Sequence, residues 1–241
     1  MANTSILRSK LKRGWYFTEL PGYRDHPVKF RTYSLFFYET LPPIKQEGLE
    51  GYGWLLQDRI KKNSLLEGTY PDGTKPDLSN LIEFVKQIDI PLPASFKTFI
   101  TLEELRGRVR SCTDSYLDLG DYVVRTSGIE PGYLIHFMSD SQWILHWYLY
   151  LSQSGDHFVL VSEEGYGFYF NDMDVQPEKG KNEPIQLDQK AIWFCAGSFL
   201  EFIYRFWLEN ELWYRLTLEP KPLNDAQRRY LEFYQKENNV S

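Results

Sequence analysis

Between Leu78 and Ser198 the apolar positions change period, and the change divides the chain into helical and strand-forming parts. Leu78, Leu81, Ile82, Val85 and Ile88 recur at helical spacing, with Asp77 placed to cap the stripe. The sequence "IPLP" (90–93) stops that helix, because a residue preceding proline is pushed out of the helical region. "PASFKTFITLEELRGRVR" (93–110) reads as a second helical stretch with an interruption near Thr101. Beyond Arg110 the period becomes that of strands: "SYLDL", "DYVVRT", "GYLIHFM", "QWILHWYLYL", "HFVLVS" and "GYGFYF" follow one another across Gly, Asp and Ser turns. Such short connections predict antiparallel hairpins. After the polar loop at 171–190, "GSFLEFIYRFWLENELW" opens with Ser198 and Glu201 at capping-box spacing and continues as an apolar-faced helix. Helices on either side of a run of strands predict an α+β domain, a central antiparallel sheet packed against flanking helices.

Residues 1–76 carry a weaker pattern. "YSLFFYETL" (33–41) resembles a short strand, and "GYGWLLQDRIKKNSLL" (51–66) resembles one helix. The turn-rich "TYPDGTKPD" (69–77) marks a boundary. The predicted organisation is an N-terminal extension over 1–76 packed on a main domain at 77–218, with a polar C-terminal helix or tail at 219–241.

The segment 142–151 is dense in polarisable rings. Alternation along a strand puts Trp143, Leu145, Trp147, Leu149 and Leu151 on one apolar face and Ile144, His146, Tyr148 and Tyr150 on the other. The first face reads as core and the second as a half-covered surface whose polar tips reach water. If Met138 opposes Trp143 across the turn, His136 joins the tryptophan face and His146 the tyrosine face, so the two cannot share a metal. An amphipathic aromatic face is a plausible docking surface, since Tyr, Trp and Arg concentrate at interface hot spots. His146, Tyr148 and Tyr150, with the neighbouring acids Glu163 and Glu164, are therefore the candidate partner-binding residues.

Charge narrows the functional classes. The 27 basic and 33 acidic residues give a net charge of -6, mixed along the chain, which does not suit nucleic-acid binding. Cys112 and Cys195 stand 83 positions apart without nearby ligand partners, so a zinc site is not expected and buried reduced thiols are. The N-terminus lacks the apolar run and cleavage site of a signal peptide, and no segment has the length of a membrane span, which predicts a cytoplasmic protein that does not engage membranes. Catalytic patterns are missing: "GYGW" and "GYGF" lack the spacing of phosphate loops, and neither a G-x-S-x-G elbow nor an H-E-x-x-H pair occurs. "NDMD" (171–174) reads as a solvated turn in preference to a calcium loop. Glu163 with Glu164, and Asp118 with Asp121, offer paired carboxylates whose separation the sequence does not fix. No catalytic residue, cofactor or metal is assigned.

"IPLPASFKTFI" (90–100) resembles the leucine-proline-x-x-aromatic-x-x-aromatic opening of the SUKH superfamily, which comprises the yeast cell-wall-synthesis regulators of the Smi/Knr type and many bacterial proteins. "GYLIHFMSDSQWILHWYLYL" (132–151) looks like its central strands; "GDHFVLVS" (155–162) and "AGSFLEFIYRFW" (196–207) are similar to its next strand and final helix. "SCTDSYLDL" (111–119) resembles bacterial members. The resemblance covers 78–215; "TLEELRGRVR" (101–110) stands where a typical member has a glycine-rich segment. It implies a SUKH-like, non-catalytic binding fold. Many bacterial members are immunity proteins that neutralise a cognate toxin, so the leading expectation is a cytoplasmic toxin-binding protein whose acidic rim makes association salt-sensitive. The second is a regulatory interaction module with specificity in residues 1–76. The third is an enzyme or small-molecule binder using the tyrosine face and His146.

Overall fold

The computed structural model describes residues 6–27, 31–44, 49–57, 59, 64, 78–120, 123–128, 130–166 and 184–238. The boundary segment at 69–77, the carboxylates Asp121 and "NDMD", and most of "GYGFYF" lie outside the described residues.

Helices α1 (Ile6–Lys10) and α2 (Gly53–Leu56) are short, and strands β1 (Gly14–Phe17) and β2 (Ser34–Phe37) form an antiparallel ribbon. Helices α3 (Ser79–Gln87), α4 (Ala94–Thr101) and α5 (Glu103–Arg106) follow. Asp89 turns the chain out of α3 in a left-handed conformation, φ 54°, one step before the expected "IPLP" stop. The break between α4 and α5 falls at Leu102, whose ψ of 99° is extended.

Strands β3 (Ser115–Leu117), β4 (Val124–Ser127), β5 (Gly132–Asp140), β6 (His146–Ser152), β7 (His157–Ser162), β8 (Ile185–Gln186) and β9 (Ile192–Ala196) make one sheet. Its order is β8-β4-β5-β6-β7-β9, with β3 paired to β5 as well. The sheet is mixed, which corrects the expectation of a wholly antiparallel one: β4 pairs with β8 in parallel. A long connection from β7 allows that arrangement, as a tight hairpin could not. A parallel bridge from Arg13 to Phe194 places the start of β1 against β9. Helices α6 (Phe199–Thr217) and α7 (Asp225–Asn238) complete the α+β fold. Ser198 caps α6, with Glu201 N donating to Ser198 Oγ at 3.1 Å, and the Glu201 carboxylate reaches back to accept from Gly197 N, one residue before the cap, at 3.0 Å. Among the described residues no helix is long and apolar enough to cross a membrane.

The sheet is buried on both faces. One face carries Phe137, Trp147, Leu149 and Val161 beneath α4 and α6, where Phe96, Phe199 and Phe202 fill the layer. Residues of the N-terminal 76 belong to this same core, among them Trp15, Phe17, Leu20 and Leu55. The other face buries Tyr148, Tyr150, Phe158 and Leu160 under Leu7, Leu11 and Leu187. This corrects the expected half-covered tyrosine face. The tyrosine hydroxyls find protein where water was expected: Tyr150 donates to Glu130 O at 2.9 Å, while Tyr148 donates to Glu164 O at 3.3 Å and accepts from Tyr166 N at 2.7 Å. Gly132 makes room for this layer, since a Cβ there would lie 2.5 Å from the Tyr150 ring and 2.6 Å from Leu151 O.

Candidate functional site

Three groups of polar residues compete for a functional reading. Two are buried and one lines a groove.

The first is built along α6, where Glu201, Arg205 and Glu209 recur every fourth residue and so share a side. Glu209 is fully buried and accepts from both Arg24 Nη atoms and from Trp15 Nε1, each at 2.8 Å, as well as from the Tyr230 hydroxyl. Arg205, 1% exposed, donates to Tyr230. Burial pushes the Glu209 carboxyl up, but the charge and hydrogen bonds of Arg24 outweigh it and hold the group below the usual glutamate range. The cluster ties the N-terminal segment to α6 and α7, so its charges are spent on structure.

The second cluster overturns the parity argument for the histidines. A register shift between His136 and Met138 puts His136 opposite Tyr148 and Ser139 opposite His146. A bulge adds one residue and flips every side chain beyond it, so both histidines end on the same face. Their ring centroids lie 5.6 Å apart. Ser139 Oγ is the hub: it donates to Asp118 Oδ2 at 2.9 Å and lies 2.9 Å from His136 Nε2 and 3.1 Å from His146 Nδ1. These are the residue types of a hydrolytic triad in the wrong order, because the serine proton is directed to the carboxylate and not to an imidazole. Ser139 is also wholly buried. Burial lowers the pKa of both histidines and raises that of Asp118, favouring the neutral forms. Among the described residues no group of three or more His, Cys, Asp or Glu is arranged to hold a metal. Cys112 and Cys195 are free thiols, and burial pushes both up.

The third is open to solvent. A groove of about 820 Å³ runs between β2, the β5–β6 turn and the ends of β7 and β9. Its apolar walls include Tyr33, Leu35, Ile144 and Trp193; Arg31, Glu163 and Lys190 supply charge. Tyr16 donates to Glu163 Oε1 at 2.8 Å across one end. The turn that forms one wall begins at Ser141, because the Asp140 carboxylate accepts from Ile144 N at 2.7 Å and Leu145 N at 2.8 Å. Those bonds keep Trp143 and Ile144 out of β6, which starts only at His146, and leave them 38% and 51% exposed.

The five sequence candidates therefore separate. His146, Tyr148 and Tyr150 are 1% exposed or less and cannot meet a partner in this structure, whereas Glu163 and Glu164 are exposed just beyond β7. Only Glu163 lines the groove. The described charges in its lining are two cations and one carboxylate. Tyr16 and Trp193 lay in strands that the sequence pattern left unread, though "IWFCA" after a polar loop carries the signal of a short buried strand. Compared with known proteins, the chain matches no family model, no curated protein and no solved structure.

Proposed function

We propose that this chain is a non-catalytic protein-binding domain of the immunity type, which neutralises a toxin by holding it at the groove beside the β5–β6 turn. The observation that carries the reading is the groove itself: aromatic side chains in its walls, an exposed apolar tip and a few charged groups at the rim are what an interface hot spot requires. The choice of a toxin as partner comes from the resemblance of residues 78–215 to SUKH immunity proteins. With both charge signs at the rim, affinity rests on apolar burial, and added salt changes association only modestly.

Deleting residues 1–76 would take Trp15, Phe17 and Leu20 out of the core, so truncation does not separate this reading from that of a regulatory interaction module with its specificity in 1–76. Point changes in the groove replace truncation as the test. Tagged wild-type chain and its Ile144→Glu and Glu163→Lys variants are used to capture partners from the native cells, and any stoichiometric partner is then expressed alone and with each form. The expected result is one partner that arrests growth by itself, is rescued by wild type and escapes Ile144→Glu. A partner that binds all three forms equally, or is harmless alone, refutes the proposal.

A further inference from the structure

The tip between β5 and β6 is held in a backbone conformation that its residues do not favour. Trp143 has φ 56°, in the left-handed region that bulky side chains rarely enter. Asp140, 1% exposed, enforces it through the two carboxylate bonds to Ile144 and Leu145, and Trp143 N closes the turn onto Asp140 O at 3.0 Å. Glycine would adopt the same turn without strain, and a polar residue would suit the solvent better. Two large apolar side chains are displayed there nonetheless. Strain of this kind persists where surrounding structure over-determines it, and it concentrates at sites of recognition.

Ile144 forms part of the groove wall, and Trp143 stands beside it on the His146 ring, centroids 6.0 Å apart. An exposed apolar tip and a groove with apolar walls and polar groups between them thus occupy one face. Arg31 and Lys190 share that face with Glu163, so both halves of an ion pair are present too. We infer that, when no other partner occupies it, this face closes on a second copy of the chain about a two-fold axis, the Trp143–Ile144 tip of each copy entering the groove of the other. A two-fold contact must be self-complementary, with every feature and its complement on the same surface. Knob beside hole and cation beside carboxylate meet that requirement. The inference rests on the groove being the binding face, and it makes self-association a brake that a partner must release.

Sedimentation equilibrium of the full chain, from about 1 μM to about 100 μM, tests it over the range of modest dimers. The expected result is a reversible monomer–dimer equilibrium. Ile144→Glu should weaken the dimer by about ten-fold or more, the effect of losing a buried anchor. Trp143→Gly should weaken it similarly while raising the melting temperature, because the left-handed strain is relieved. A tryptophan needed only for packing would lower the melting temperature instead. A monomer at every concentration, or a dimer indifferent to both variants, overturns the inference. A monomeric chain that still captures a partner through Ile144 leaves the binding proposal intact, whereas a dimer without such a partner sinks that proposal alone.

Discussion

Removing the Glu209 carboxylate is the most severe single test of how this fold is held together. Glutamate-to-alanine at 209 strips four hydrogen-bond donors of their acceptor: two from Arg24, one from Trp15 and one from Tyr230. It also leaves Arg24, 7% exposed, and Arg205, 1% exposed, as buried cations without the anion between them. Breaking one side of a buried pair costs about 3–5 kcal/mol, because the surviving charge keeps its desolvation penalty and loses its compensation. The cavity left by the side chain adds to that, so Glu209→Ala should fall near the top of the range, about 5 kcal/mol. Glu209→Gln keeps the shape and one acceptor and should cost about half as much. The double variant Arg24→Met with Glu209→Leu should cost far less than the sum of its singles, since it removes the charges together. Urea unfolding followed by tryptophan fluorescence reads all three. A Glu209→Ala penalty below about 1 kcal/mol, the scale of an exposed ion pair, would refute the reasoning. Because the Glu209 pKa is depressed in the fold, its contribution is present above the unfolded glutamate value of 4.5 and is lost as pH falls through the folded one.

The buried histidines give a second pH signature of the same sign. His136 and His146 titrate below the ordinary 6.5, first because burial disfavours the cation, so stability present above pH 6.5 should fall on acidification towards their folded values. The slope is about 1.4 kcal/mol per pH unit for each proton taken up on unfolding, and His136→Phe should flatten it; an unchanged pH profile would contradict the assignment. Gly132→Ala drives a methyl group into Tyr150 and a backbone carbonyl and should cost about 1–3 kcal/mol in the same unfolding assay. Ser198→Ala removes the acceptor at the start of α6 and should cost about 1 kcal/mol, whereas Ser198→Asp should restore most of it.

Where the sequence could be read, local physics and tertiary structure agreed. The α3 stripe, the break after Thr101, strands β3 to β7 in outline and the Ser198 cap of α6 each follow from spacing and turn chemistry alone. The second core could not be read that way. Tyrosines that end in protein carbonyls look the same in sequence as tyrosines that end in water, and only the covering Leu7, Leu11 and Leu187 distinguish them. The bulge after His136 was equally silent, yet it decides which face two histidines share. The groove was hidden because its walls come from β2, the β5–β6 turn and β9, far apart in sequence, and because Asp140 pulls Trp143 and Ile144 out of what reads as a continuous strand. Of the five candidate residues Glu163 alone lines the groove, and Ile144 belongs to the alternation that the sequence shows, but as part of a strand face and not of a turn.

The location of the binding face is the centre of this account, and hydrogen–deuterium exchange on the chain with and without its captured partner tests it most directly. The account predicts slowed exchange confined to the β5–β6 turn at 141–145, the approach to β2 at 31–35 and the segment 190–193, which together line the groove. Protection centred instead on the smaller groove beside α7, where Trp54, Tyr204 and Phe233 meet, would contradict it.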